Sequence, residues 1–287
     1  MKRLFFTSLI CVLFLSLTGC FKKDNLENIT IYTTAYPIEF ITNSLYGEHS
    51  NIKSIYPDGT NIKKYELNDK QIKDYSKGDM FIFNGTSHEE TYVSKFFKNN
   101  KNLMIIDASQ SIEYTYTDEE LWLDPSNFLM ISRNIKAGLT EYITSHYLKE
   151  EINKNYENLK LKISSIDANL KIIYDNATHK TIVTDNNALK FLEKYGFTVI
   201  SLQNDKGISE KNLSDTKKLI KNKTIKYIFT LSGTDVNSTV ADLAKNTNVE
   251  LLEINNLSNL TDKQRSEKED YFSLLNENIE MLKKELY

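Results

Sequence analysis

Along residues 29–107, short apolar runs typical of strands alternate with segments whose apolar positions have the spacing of helices. Ile29–Thr33 and Met80–Phe83 are short apolar or β-branched runs typical of strands, and two similar runs lie at 52–56 and 103–106. Continuous apolar runs such as Met80–Phe83 suit strands that are buried on both faces of a parallel sheet. The segments between these runs have helical spacing at residues 36–45, 68–75 and 89–97. The pattern therefore predicts a parallel sheet covered by helices.

A different pattern begins near Pro125. Residues 128–147 are predicted to form one helix, and residues 149–174 a second, longer one. The apolar positions of the longer helix recur at gaps of 4, 3, 4, 3, 4 and 3 residues: Ile152, Tyr156, Leu159, Ile163, Ile166, Leu170 and Ile173. At 1.5 Å per residue this helix is roughly 40 Å long, enough to run along two lobes.

The alternation of strands and helices then resumes. Strands are predicted at 180–184, 199–202, 225–231 and 250–254, with helices at 187–195, 209–221, 236–246 and 268–286. We predict an α/β fold of two lobes, each with a mainly parallel β-sheet flanked by helices, joined by one long linking α-helix. The predicted boundaries are residues 28–125 for the N-terminal lobe, 126–176 for the helical linker and 177–287 for the C-terminal lobe. Parallel sheets bind ligands beyond the carboxyl ends of their strands, so the expected site is a cleft between the lobes.

The N-terminus carries the signals of export. A short positive segment precedes an apolar run at residues 4–17, which has the length of a signal peptide and not of a membrane span. The following Leu17-Thr18-Gly19-Cys20 resembles a bacterial lipobox, which implies cleavage before Cys20 and acylation of that residue. We expect a signal peptide at 1–19, a lipidated tether at 20–27, and a protein anchored by lipid to the extracytoplasmic face of the cell membrane. An uncleaved N-terminal anchor is the alternative.

Charge and cysteine content narrow the possible functions. The chain has 36 basic and 39 acidic residues without a basic stripe, so no nucleic-acid partner is expected. The cysteines are Cys11 and Cys20, which leaves the mature domain without disulfides or thiolate chemistry. The sequence contains no nucleophile-elbow, Walker A or H-E-x-x-H motif, and we predict that the protein is not an enzyme.

Several short motifs resemble, in order, those of one family of binding proteins. Trp122-Leu123-Asp124-Pro125 looks like the family's "HVWLDP", and residues 79–85 (DMFIFNG) look like its "ADLFVYNG". Residues 33–37 and 270–275 match an early and a late segment. The family is the metal-binding substrate-binding lipoproteins of ABC transporters, the zinc and manganese receptors. The resemblance implies an extracytoplasmic receptor of the zinc/manganese uptake class, with a permease as partner and a ligand held between two lobes.

The positions that correspond to the family's metal ligands do not carry a zinc site. The family usually binds metal through three histidines and one carboxylate, and alignment places Lys63, Glu120, Asn186 and Ser232 there. An ammonium about 4 Å from a divalent cation costs roughly 8 kcal/mol at an effective dielectric constant of about 20. We therefore expect Lys63 and Glu120 to form an ion pair in place of the metal. The alternative is that Lys63 points to solvent.

The sequence is compatible with more than one ligand. A divalent metal, zinc or manganese, would lack its standard ligands, but Glu120, Asp185, Asp235 or His88 offers an alternative set. A site made of Glu120, Asp185 or Asp235 with waters would be rich in oxygen donors and would favour manganese over zinc. A small zwitterionic or hydrogen-bonding solute could occupy the cleft instead. The alternative function is a repurposed relative that binds no metal and has an organic solute, an adhesin-like role or a structural role.

Overall fold

The computed structural model describes residues 26–115, 117–204 and 207–287. The expected signal peptide and the lipid site at Cys20 lie outside these residues. Among the described residues, no helix combines the length and the apolar composition that crossing a bilayer requires.

The N-terminal lobe is built on a four-stranded parallel sheet. Its strands pair in the order β2-β1-β3-β4, and their bounds are Ile29–Thr33 (β1), Ser50–Ser54 (β2), Met80–Phe83 (β3) and Met104–Asp107 (β4). The flanking helices are Tyr36–Tyr46 (α1), Asp69–Tyr75 (α2) and Glu90–Asn99 (α3), with a 3₁₀ turn at Gly47–His49. All residues of β3 are buried, as its continuous apolar run predicts.

Three helices connect the lobes, with bounds Glu120–Leu123 (α4), Pro125–Tyr142 (α5) and His146–Asn176 (α6). Every apolar position predicted for the long helix is buried in α6, which at 31 residues is about 46 Å long. The predicted helix at 128–147 instead ends at Tyr142. A new helix begins after Ser145, because its side chain accepts a hydrogen bond from the Leu148 N–H and caps that helix.

The C-terminal lobe repeats the parallel arrangement. Its strands are Thr181–Thr184 (β5), Thr198–Ser201 (β6), Gln203–Asn204 (β7), Gly207–Ile208 (β8), Tyr227–Leu231 (β9) and Glu250–Ile254 (β10). The main sheet has the order β10-β9-β5-β6, and a separate two-stranded antiparallel ribbon joins β7 to β8. The helices are Glu210–Lys221 (α7), Ser238–Lys245 (α8), Asp262–Ser266 (α9) and Tyr271–Leu286 (α10).

Local sequence signals explain most of these boundaries. Asn68 and Gln71 form a capping box at α2, and Ser209 caps α7. Gly196 adopts φ 104°, a conformation that glycine tolerates at the end of a helical segment. That segment is a 3₁₀ helix at Lys190–Tyr195 and not the longer helix predicted at 187–195. The second strand also differs from the prediction at 52–56, since β2 covers Ser50–Ser54.

Two hydrophobic clusters form the core of the described residues: a small one within the C-terminal lobe, and a larger one that runs through both lobes and along α6. At its centre, Tyr271 stacks on Phe128 with ring centroids 4.1 Å apart, and its hydroxyl donates a hydrogen bond to the Trp122 carbonyl. The Trp122 indole N–H in turn donates to the Asn256 carbonyl at 2.8 Å. These contacts hold the end of α4 against the C-terminal lobe, and α4 begins directly after Glu119, a residue of the candidate site.

Candidate functional site

A cavity of about 320 Å³ lies between the lobes, beyond the carboxyl ends of their strands. We call it the interlobe cavity. The N-terminal lobe contributes Lys63 and, just before α4, Thr117 and Glu119. The C-terminal lobe contributes residues at or after the carboxyl ends of β5, β6 and β9. The second group comprises Asp185, Asn186, Gln203, Gly207, Ile208, Leu231, Thr234, Asp235 and Asn237. The cavity therefore lies where parallel sheets place their ligands.

An ion pair lies on the N-terminal side of the interlobe cavity. The Lys63 ammonium is 2.7 Å from one carboxylate oxygen of Glu119 and 3.0 Å from the other. The Glu119 side chain is only 3% exposed, whereas that of Lys63 is 46% exposed. The expectation that Lys63 forms an ion pair is correct, but the predicted partner, Glu120, is wrong.

Glu120 does not line the interlobe cavity. It is buried, and one of its carboxylate oxygens accepts a hydrogen bond from the Thr115 N–H at 3.3 Å. Glu119 and Glu120 are consecutive at the start of α4, and successive helical residues point about 100° apart. Glu119 lines the cavity and Glu120 does not.

Asp185 is a buried acid on the C-terminal side of the interlobe cavity. It follows β5, where its N–H donates to the Phe229 carbonyl at 2.9 Å, and only 8% of its surface is exposed. The Asn186 amide donates a hydrogen bond to its carboxylate. Burial raises the pKa of Asp185 to about 6. Within the described residues no cation pairs with it, so at neutral pH it presents a negative charge to the cavity.

The other candidate residues divide between the interlobe cavity and its surroundings. Asp235 lines the cavity, but its side chain is 95% exposed and lies 3.2 Å from the Lys64 ammonium. Ser232 lines an adjoining cavity of about 390 Å³, where its hydroxyl accepts from the Asn256 N–H at 3.0 Å. His88 lines neither cavity; its ring lies 3.4 Å from the Tyr56 hydroxyl.

The donor set does not form a preassembled metal site. Within the described ranges, no three or more histidine, cysteine, aspartate or glutamate side chains are close enough together to hold a metal ion. The described residues that line the interlobe cavity include three carboxylates, Glu119, Asp185 and Asp235. Lys63 pairs with Glu119 and Lys64 pairs with Asp235, so the excess negative charge is that of Asp185, and it favours a cation.

The loop that carries Lys63 is fastened to the C-terminal lobe. The Asn61 amide donates to the Gly233 carbonyl at 2.9 Å, and the Asn259 amide donates to the Pro57 carbonyl at 2.8 Å. The Arg265 guanidinium reaches Asp58 at 2.7 Å and also Glu39 in the N-terminal lobe at 2.7 Å. These contacts fix the backbone on one side of the interlobe cavity, and none of them involves the Lys63 side chain.

The buried carboxyl of Glu89, which lies outside the interlobe cavity, makes stability depend on pH. It is fully buried, accepts hydrogen bonds from the Tyr56 hydroxyl at 3.2 Å and the Asn84 N–H at 3.1 Å, and burial raises its pKa from 4.5 to about 7. Between these pH values the folded state holds a proton that the unfolded state has lost, so stability falls as pH rises. The shift corresponds to about 3 kcal/mol.

Glu89→Gln is therefore expected to weaken this pH dependence. In urea unfolding at pH 4.5 and pH 8, the wild-type chain should lose more stability on going to pH 8 than the variant, by about 3 kcal/mol. Equal losses in the two chains would show that Glu89 titrates normally.

The comparisons with known proteins agree with this architecture. The family model described as zinc-uptake complex component A, periplasmic, matches residues 31–285, almost the whole chain. The chain belongs to this family. It is 25% identical over 318 residues to the zinc-binding protein AdcA of Streptococcus pyogenes serotype M6, which covers 98% of the chain and 61% of that protein. It is 24% identical over 192 residues to the iron-binding protein YfeA of Yersinia pestis, covering 63% and 61% of the two chains.

The solved structures show the same fold. The Zn(II)-bound ZnuA-like domain of Streptococcus pneumoniae AdcA aligns with a TM-score of 0.72 at 22% identity, over 90% of this chain and 99% of that one. Streptococcus pneumoniae AdcAII aligns with a TM-score of 0.74 at 23% identity, over 91% and 99%. The chain spans 39–61% of the length of the curated relatives that it matches. The family is one of metal uptake, and the comparisons do not support the alternative of a repurposed adhesive or structural protein.

Proposed function

We propose that this protein is the lipid-anchored, extracytoplasmic solute-binding component of an ABC uptake system, and that its cargo is a divalent cation held in the interlobe cavity. The observation that supports this cargo most directly is the environment of Asp185. This residue is a buried carboxylate without a cationic partner among the described residues, and it faces a cavity with an excess of negative charge. A buried charge of this kind is costly unless a cation compensates it.

The chemistry of the donors favours a hard cation. Zinc prefers imidazole nitrogen and thiolate in tetrahedral sets, and none of the described residues that line the interlobe cavity is a histidine or cysteine. A standard zinc site therefore does not fit. Carboxylate and amide oxygens suit ions such as manganese, which retain bound waters. We infer that manganese binds in preference to zinc.

Family membership and the N-terminal sequence support the proposed location on the extracytoplasmic face of the membrane. The lipobox-like Leu17-Thr18-Gly19-Cys20 supports acylation at Cys20, and a relative is the zinc-binding lipoprotein AdcA of Streptococcus pneumoniae. Membership of an uptake family supports a permease as the partner. Anchoring by lipid would keep the receptor close to that permease.

Asp185→Asn is expected to weaken manganese binding at least about tenfold, because it removes the charge that faces the cavity. Calorimetric titration at pH 7.5 measures the change. The wild-type affinity should also fall as pH is lowered through about 6, where Asp185 takes up a proton, and the variant should not show this step.

Asp235→Asn is the matched control. It removes a carboxylate from the same cavity, but this one is 95% exposed and paired with Lys64, so the affinity should change about twofold or less. Tight stoichiometric zinc binding that survives Asp185→Asn would contradict the proposed site and the proposed cargo.

A further inference from the structure

The Lys63 ammonium pairs with Glu119, a carboxylate of the cavity in which the cargo would bind. It contacts both oxygens of Glu119 at 2.7 and 3.0 Å, and both residues line the cavity that Asp185 also lines. Glu119 is 3% exposed, so its charge is shielded from water and needs a nearby cation. In the structure Lys63 is that cation.

The Lys63 side chain can leave this position without a change in the fold. Its backbone is held separately, since its N–H donates to the Asn61 side chain at 3.0 Å. Its side chain is 46% exposed and carries a flexible four-carbon stem, so the ammonium can turn towards water. Glu119 cannot follow it, because Glu119 is buried at the start of α4. A departing ammonium would therefore leave Glu119 as a buried, uncompensated carboxylate on the cavity that Asp185 also lines.

We propose that Lys63 is an internal competitor for the cargo cation, and that loading exchanges its ammonium on Glu119 for the metal ion. This inference rests on the proposed function. The exchange sets the affinity, since each binding event must displace an ammonium that is always present at the site. It also assists release, because Lys63 returns to Glu119 as the ion leaves.

Lys64 is the matched neighbour. Its ammonium lies 3.2 Å from Asp235, but the two side chains are 71% and 95% exposed, and Lys64 does not line the interlobe cavity. Water screens such a pair, so its removal has little effect on a nearby site. Lys63→Met and Lys64→Met therefore remove the same charge from adjacent positions with different expected results.

The test is titration of the full-length protein with manganese, followed by the electron paramagnetic resonance signal of the free ion. Lys63→Met should bind manganese at least about tenfold more tightly than the wild type, and Lys64→Met should stay within about twofold. Lys63→Arg should remain weak, since it keeps a cation for Glu119. The double variant Lys63→Met/Glu119→Gln should lose the gain, which separates competition from any general change in folding.

Amine labelling gives a second readout on the wild type. Manganese should increase the acylation of Lys63 by an amine-reactive ester and leave that of Lys64 unchanged, as followed by mass spectrometry. If Lys63→Met binds no more tightly than the wild type while Asp185→Asn still weakens binding, the competitor role is wrong and the proposed site stands. If neither the wild type nor Lys63→Met binds manganese, zinc or iron, both proposals are wrong.

Discussion

The double variant Lys63→His/Asn186→His should bind zinc at least about 100-fold more tightly than the wild-type chain. Both residues line the interlobe cavity, so the substitution brings two imidazoles to a space that Asp185 already lines. It also removes the ammonium that holds Glu119 and frees that carboxylate. Two nitrogens and two carboxylates form a donor set that zinc accepts. The expected gain corresponds to about 2.7 kcal/mol in binding free energy.

Competition against a zinc-sensitive fluorescent chelator measures this gain. The control variant Lys64→His/Asn187→His adds the same imidazoles one residue further along each loop, outside the lining of the cavity. It should gain less than about threefold. An equal gain in both variants, or none in either, would show that Lys63 and Asn186 do not face a common site.

Tyr271→Ala should lower the free energy of unfolding by about 4 kcal/mol, because it empties the centre of the core between the lobes. Tyr271 is fully buried, stacks on Phe128 at 4.1 Å and lies 5.6 Å from Phe40. Its hydroxyl donates to the Trp122 carbonyl, which would be left without this donor. A loss of this size is a large part of the stability of a typical domain.

Tyr271→Phe distinguishes the contribution of the ring to stability from that of the hydroxyl. It keeps the stacking on Phe128 and removes the hydrogen bond to Trp122, so we expect a loss of about 1–2 kcal/mol. Urea unfolding measures the loss of stability in both variants, and the m-value of each should equal that of the wild type. If the alanine variant were no less stable than the phenylalanine variant, packing of this ring would not be what joins the lobes.

The fold could be predicted because its signals are local. The apolar spacing of α6 identifies its buried face, and the run at Met80–Phe83 identifies a strand buried on both sides. Asn68 and Ser209 cap helices at the positions that their sequences indicate. Errors arise where two local signals compete, as between Tyr142 and Ser145, where a cap overrides continuing helical spacing.

The site could be predicted only in part because its geometry depends on remote segments. Alignment identifies Lys63, Asn186 and Asp185 as residues near the cleft, and the structure places them on one cavity. The choice between Glu119 and Glu120 depends on the rotation of α4, which the contacts of Trp122 with the C-terminal lobe fix. Sequence spacing carries no signal of such contacts.

The sequence also gives no indication that Gln203 and Thr117 belong to the site. Both line the interlobe cavity, yet neither belongs to a motif. Gln203 reaches the cavity from the ribbon that follows β6, which the periodicity of the sequence does not predict. Polar residues in short irregular segments become part of a site only through tertiary packing.

Anomalous diffraction at the manganese edge, from crystals of the metal-loaded protein, tests most directly whether the interlobe cavity binds a cation through oxygen donors. We expect one peak between the lobes, in contact with the Asp185 carboxylate and surrounded by oxygen ligands, with the Lys63 ammonium displaced from Glu119. A peak coordinated by imidazoles, or a loaded ion bound away from Asp185, would contradict it.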